Sequence, residues 1–186
     1  MRTGSQSLKV SQWLAKHASK LEIDANVVDL HELKLPIFDV GETEAPNAPK
    51  VLSALEKADA VVFVSPEWGG AMSTGIVNML QYVGYELAHK PVMLVGVSSG
   101  RGGSYPIMQM RITGYKNNHF VISPESLLVQ GVDHVLNDHE MPEEGEDASV
   151  KKRADYALRI LKDYAQALKS VRDSGVVDHE NFPNGV

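Results

Sequence analysis

Three short stretches hold the residues whose types and spacing could do chemistry. The first is Arg2-Thr3-Gly4-Ser5-Gln6-Ser7, directly before a stretch with helical spacing. A helix start presents unpaired amide groups and a partial positive charge, which suits an anion. The hydroxyls of Ser5 and Ser7 and the guanidinium of Arg2 add donors aimed at a phosphate. Taken alone, the same residues also describe a plain N-terminus in which Ser5 caps the helix. The second stretch is Ser65-Pro66-Glu67-Trp68-Gly69-Gly70. Pro66 stiffens the chain, Gly69 and Gly70 let backbone approach a flat ligand, and Trp68 can cover an aromatic ring or a subunit surface. A tight turn with Trp68 in the core is the competing reading. The third is Ser98-Ser99-Gly100-Arg101-Gly102-Gly103-Ser104, where Ser99, Gly100, Gly102 and Gly103 again suit a close approach to a ligand, or else form a mobile loop. Tyr105 stands where a GxGxxG fingerprint needs its last glycine, and no GK[ST] follows for a P-loop.

Other chemistries find little to work with. The chain has no cysteine, so it has no disulfide, thiolate metal site, iron–sulfur cluster or cysteine nucleophile. Its histidines (17, 31, 89, 119, 134, 139 and 179) show no HxH or HExxH spacing, and no metal site is expected. The acidic run Glu140–Asp147 lacks EF-hand spacing and reads as a solvated linker. Nothing like GxSxG surrounds Ser98 and Ser99, and the adjacent Tyr115 and Lys116 cannot share one helix face. A net charge of −6 argues against nucleic acid as a partner. No apolar run approaches the roughly 18–20 residues needed to cross a bilayer, so no membrane partner is expected. The absence of cysteine and of a secretory signal in MRTGSQSLKV fits a cytoplasmic protein.

The elements that must position the three stretches follow from the apolar pattern. The 186 residues, 43% apolar and 23% charged, suit one domain over 1–186. Helical spacing covers 8–20, 50–57, 74–83, 106–116 and 149–173; in the last, Tyr156, Ile160, Leu161, Tyr164 and Leu168 keep that spacing. Strands are expected at 26–30, 60–65 and 92–97, with shorter candidates at 120–122 and 127–129 split by Pro124. Residues 138–147 form an acidic linker and 175–186 a loose tail. Strands alternating with helices give a three-layer α/β fold with a doubly wound parallel sheet. In such sheets ligands lie outside the carboxyl ends of the strands, and the three stretches occupy that edge, where flavodoxin-like folds hold flavin. One element is missing from the pattern: the first helix begins within a few residues of Met1, with no strand before it.

The motifs resemble those of the NADPH-dependent FMN reductase family. Arg2, Ser5 and Ser7 match the R-x-x-S-x-S half of its phosphate loop. Pro66, Glu67 and Asn78 match its ring-binding loop in place, with Trp68 for tyrosine and Thr74-Gly75 for Pro-Gly. The segment SSGRGGSYP at 98–106 resembles its third flavin loop, and the likeness spans about residues 2–135. Three features depart from the family: the GSx half of the phosphate loop is absent, Gly69-Gly70-Ala71 replaces Asn-Gly-Ser, and Gln81-Tyr82 replaces an acidic residue and a tryptophan.

The resemblance implies a flavodoxin-like fold of strand order 2-1-3-4-5, with the first strand absent from this chain. It implies FMN as cofactor, NADPH or NADH as co-substrate, and a homodimer or homotetramer, for which Tyr82 and Tyr85 are candidate interface residues. The implied activity passes hydride from nicotinamide to FMN, then electrons to a quinone, an azo or nitro compound, a metal ion or free flavin. The flavin would hold the phosphate at Arg2, Ser5 and Ser7. Its ring would lie against Pro66, Glu67, Trp68, Gly69, Gly70, Ser99, Gly100, Gly102 and Gly103. No catalytic side chain is expected, because the flavin carries the chemistry; Glu67 would organise its loop. The alternatives are a binding or scaffold subunit that has lost FMN, and a one-electron flavodoxin carrier, against which Arg2 argues.

Overall fold

The computed structural model describes residues 3–39 and 45–185. Runs of β-branched residues make the sheet: β1 (Val61–Pro66), β2 (Pro91–Val97) and β3 (Val121–Val129). All pair in parallel in the order β1-β2-β3, so β2 is central and every one of its residues is buried. Alternation along β2 feeds two cores. Met93, Val95 and Val97 face one side with Leu127 and Val129 of β3, under α1 (Gln6–Lys20) and α7 (Gly145–Asp173). Val92 and Leu94 face the other with Phe63 and Phe120, under α3 (Ala48–Lys57), α4 (Thr74–Tyr82) and α5 (Ser104–Ile112). Sheet and two helical layers together make the expected three-layer α/β architecture.

Four elements differ from the sequence expectation, each for a local reason. Residues 26–29 are in no strand, and Val27 and Val28 are 39% and 41% exposed. A strand exists only where a neighbour completes its ladder, and among the described residues nothing pairs with the outer edge of β1. The described residues thus form three strands where the expected order has five. The chain then enters α2 (Leu30–Leu33), capped by the Asp29 carboxylate. Helix 106–116 divides into α5 and α6 (Tyr115–Asn118), because Gly114 takes φ +83° between them.

The two short strands around Pro124 are instead one strand, β3, which absorbs the proline as an irregularity. Three residues on β2, Val92 to Leu94, span five on β3, Ile122 to Ser126. β3 is an edge strand, where a missing amide donor is tolerated. Finally, α7 buries Ala148, Lys151, Ala154, Ala157, Leu158 and Leu161, while Tyr156 and Tyr164 are exposed.

Candidate flavin site

Because the strands are parallel, the segments that follow them emerge on one edge. The first leaves β1 at Pro66 and makes a tight hairpin. The Trp68 amide donates to the Ala71 carbonyl at 3.3 Å and the Ala71 amide returns to Trp68 at 3.0 Å. The two residues between, Gly69 and Gly70, have φ of +58° and +69°, the mirror-image turn that side chains resist. Trp68 stands 71% exposed on this turn, available as a cover and not part of the core. The hairpin is anchored behind by two polar groups with no obvious sequence signal. The buried Ser65 Oγ accepts from the Ser73 amide at 2.8 Å, and Gln109 Oε1 accepts from the Met72 amide at 2.6 Å. Asn78 pins the 36–38 segment, accepting from the Phe38 amide at 2.8 Å and donating to the Pro36 carbonyl at 2.7 Å.

The segment after β2 lies beside this hairpin. Glu67 Oε2 accepts from the Gly103 amide at 2.5 Å and the Tyr105 amide at 3.3 Å, placing a carboxylate on the N-terminus of α5. On the opposite flank, Gln130 Nε2 donates to the carbonyls of Arg101 and Gly102. The Gly131 amide reaches the Gly100 carbonyl at 3.0 Å, and the Val132 amide reaches Ser98 at 3.1 Å. The glycines here serve different ends. A Cβ on Gly102 would lie 2.9 Å from Glu67 Oε1, so Gly102 is packed from inside. Gly69, Gly70 and Gly100 have nothing within 4 Å of a notional Cβ and face open space, and Ser99 is exposed.

The start of α1 joins the same edge. Ser5 Oγ caps the helix, accepting from the Leu8 amide at 3.1 Å. Ser7 Oγ is buried and has no hydrogen-bond partner, an orphan hydroxyl in the first turn. Gln6 Nε2 donates to Asp133 Oδ1 at 2.6 Å, tying the helix start to the segment after β3. Lys9 strengthens that tie through the carbonyls of Val132 and Val135 and the side chain of Asn137. Burial lowers the Lys9 pKa, opposed by the charges of Asp133 and Asp147. Arg2 lies outside the described residues. One chain of contacts thus runs from α1 through 130–133 and 98–103 to 66–70, bringing together the described residues of all three sequence stretches.

These residues fit FMN. The orphan Ser7 hydroxyl and the unpaired first amides of α1 suit a phosphate. The open side of Gly69, Gly70 and Gly100, with Trp68 beside them, suits a flat ring. Among the described residues no group of three or more His, Cys, Asp or Glu could hold a metal ion, and no helix is long and apolar enough to cross a membrane.

A parallel sheet between helical layers, with its ligand edge built from strand-end segments and a helix start, defines a flavodoxin-like protein. The sequence pattern of the NADPH-dependent FMN reductase family matches residues 1–133, and the chain belongs to that family, as an NAD(P)H-dependent flavin oxidoreductase. It is 30% identical over 154 residues to an NADPH azoreductase of Bacillus sp. strain OY1-2, covering 81% of this chain and 83% of that protein. Among solved structures, the fold is shared with FerB of Paracoccus denitrificans, a flavoenzyme NAD(P)H:acceptor oxidoreductase. The TM-score is 0.63 at 18% identity, over 91% of this chain and 93% of that one. An oxidoreductase of Corynebacterium diphtheriae gives a TM-score of 0.64 at 14% identity, over 90% and 92%.

Proposed function

We propose that this chain holds FMN on the carboxyl edge of its sheet and uses it to reduce azo compounds or quinones with NAD(P)H. Bound FMN supplies a ring that accepts hydride from the nicotinamide and delivers two electrons to the acceptor. The start of α1, with Ser5, Ser7 and Arg2, binds the phosphate. The N-terminus of α5 is already filled by Glu67, which leaves α1 as the free anion site of the two. Gly69, Gly70, Gly100 and Ser99 take the ring edge, and Trp68 covers it from the hairpin. The relative named as an NADPH azoreductase supports the choice of acceptor. The chain works as a homodimer or homotetramer: α5 leaves Tyr105, Met108 and Ile112 exposed at i, i+3 and i+7, a stripe suited to a second copy.

The observation that carries this reading is the open space on the ligand side of Gly100. Its φ is ordinary and nothing lies within 4 Å of its notional Cβ, so valine there costs the ligand-free fold little. The test compares wild type and Gly100→Val by thermal melt, by FMN titration, and by NADPH oxidation with an azo dye or a quinone. We expect matching melting temperatures, loss of FMN binding in the variant, and acceptor-dependent NADPH oxidation in the wild type alone. A variant that binds FMN as well as wild type overturns the ring placement. A wild type that binds no FMN favours the scaffold reading.

A further inference from the structure

We propose that Glu67 and Gln130 are positioning residues that grip residues 98–103 from its two sides and hold its shape before any ligand arrives. The inference deepens the proposed flavin site and rests on that reading for its consequence, but not for the grip itself.

Residues 98–103 have every reason to be mobile. They contain three glycines and two serines, and Ser99, Gly100 and Arg101 are exposed. A segment of this composition loses much conformational entropy when it orders, roughly 1–2 kcal/mol per residue for the backbone alone. If flavin had to order it, that cost would come out of the binding affinity. The structure instead supplies fixed partners on both flanks. On the β1 side, Glu67 directs one carboxylate oxygen at the amides of Gly103 and Tyr105. These are among the first amides of α5, which lack acceptors within the helix. Gly103, whose φ is +102°, carries no side chain that could cap them. The glycine at 102 leaves this carboxylate its place, since a Cβ there would lie 2.9 Å from Glu67 Oε1 and push the side chain aside.

On the β3 side, Gln130 extends its amide to the carbonyls of Arg101 and Gly102, the groups next to those Glu67 holds. Amides on one flank and carbonyls on the other are therefore fixed by side chains of the two neighbouring strand-end segments. Neither side chain fills a core. Glu67 follows β1 and Gln130 follows β3, both at the ligand edge.

The experiment uses the full chain with Glu67→Gln, Glu67→Ala, Gln130→Ala and the Glu67→Ala/Gln130→Ala pair. Amide hydrogen exchange at residues 98–105 is followed without ligand, and FMN affinity is measured separately by fluorescence quenching. The glutamine at 67 keeps a carbonyl oxygen for both amides, so it should retain most of the protection, whereas alanine removes it. We expect exchange at Gly103 and Tyr105 to quicken about ten- to hundredfold in Glu67→Ala, the range of a hydrogen bond to a charged group. Gln130→Ala should act on the same segment, and the pair should exceed either single variant. Exchange in β2 should stay unchanged, which separates a local loosening from general unfolding. The weakening of FMN should follow the same ranking. Unchanged exchange in both alanine variants overturns the grip. Faster exchange with undiminished FMN affinity overturns the positioning role. If wild type binds no FMN while the exchange ranking holds, the flavin reading fails and the grip stands.

Discussion

Gly96 and Gly103 approach so closely that a Cβ on Gly96 would fall 1.8 Å from the Gly103 carbonyl oxygen. The clash is with backbone, so no rotamer relieves it. Gly96→Ala should therefore separate β2 from the start of α5. Overpacking in a tight core costs about 1–3 kcal/mol, visible as a lowered melting temperature, and here the loop geometry should suffer with it. Gly100→Ala, facing open space, should change the melting temperature little. A residue-scale test of the phosphate site is Arg2→Ala, expected to weaken FMN by about 1.5–3 kcal/mol in a binding titration, the worth of a charge-assisted hydrogen bond. Sequence distinguishes these glycines poorly. SSGRGGS signals a backbone that must come close to something, but not whether that something is a ligand or Glu67. The role of Gln130 had no signal at all, because it depends on which carbonyls lie opposite once β2 and β3 pair. The hydroxyl of Ser7 in the first turn of α1 is conspicuous in the sequence, but its burial without a partner is visible only in the structure.

Buried strands were the most legible elements. Val61–Pro66 and Pro91–Val97 are β-branched runs too short and too apolar for anything but the interior of a parallel sheet. The stretch 26–30 carries the same chemistry and is no strand, because pairing is a property of two segments and its partner is not among the described residues. Helix α7 misleads in another way. Its tyrosines keep helical spacing, but the face that packs is lined by Ala148, Ala154 and Ala157, small enough to bring the helix close to the sheet. Tyr82 and Tyr85, the candidate interface residues, are engaged within the chain. Tyr82 donates to the Pro36 carbonyl and meets Phe38 edge-on, and Tyr85 stacks on His179. Tyr85 is nevertheless 44% exposed and stays a candidate, and α5 offers a second exposed apolar stripe in Tyr105, Met108 and Ile112. Met108→Lys with Ile112→Lys should lower the mass seen by light scattering, with an unchanged melting profile for the isolated subunit. A wild type that is monomeric at micromolar concentration would exclude the assembly.

At the scale of the whole molecule, the end of the sheet opposite the candidate flavin edge gathers a cluster of ionisable groups. The tail after Ser174 returns there: the Gly185 amide donates to the Lys116 carbonyl at 2.9 Å, and Tyr85 donates to the Pro183 carbonyl at 3.3 Å. His179 of the tail stacks on Tyr85 at 4.1 Å between ring centroids. The rings of His119 and His89 lie 4.8 and 5.8 Å from it. Arg172 holds the His89 carbonyl and pairs with Asp59, Lys90 binds the carbonyls of Leu55 and Glu56, and Glu56, Glu86 and Asp178 are further acids nearby. Burial, with the fields of His179, His119 and Arg172, lowers the His89 pKa below its ordinary 6.5. Burial lowers His139 in the same direction, helped by Lys16, Lys20, His17 and Lys151.

Well above pH 6.5 both histidines are neutral whether the chain is folded or not. As pH falls through 6.5 the unfolded chain takes up protons that the folded one refuses, and stability declines until pH reaches the depressed folded values. Asp138 and Asp155, lowered by hydrogen bonds to Lys151 and Arg159, contribute stability that is lost only in a separate window, below their ordinary 3.8. The melting temperature should therefore fall in two stages on acidification, the first beginning near pH 6.5. His89→Asn should flatten that first stage without eliminating it. Asparagine accepts the left-handed backbone that His89 adopts at φ +54° and does not titrate. An identical melting temperature from pH 7.5 to pH 5 in the wild type would show that His89 and His139 protonate as readily in the folded chain as in the unfolded one.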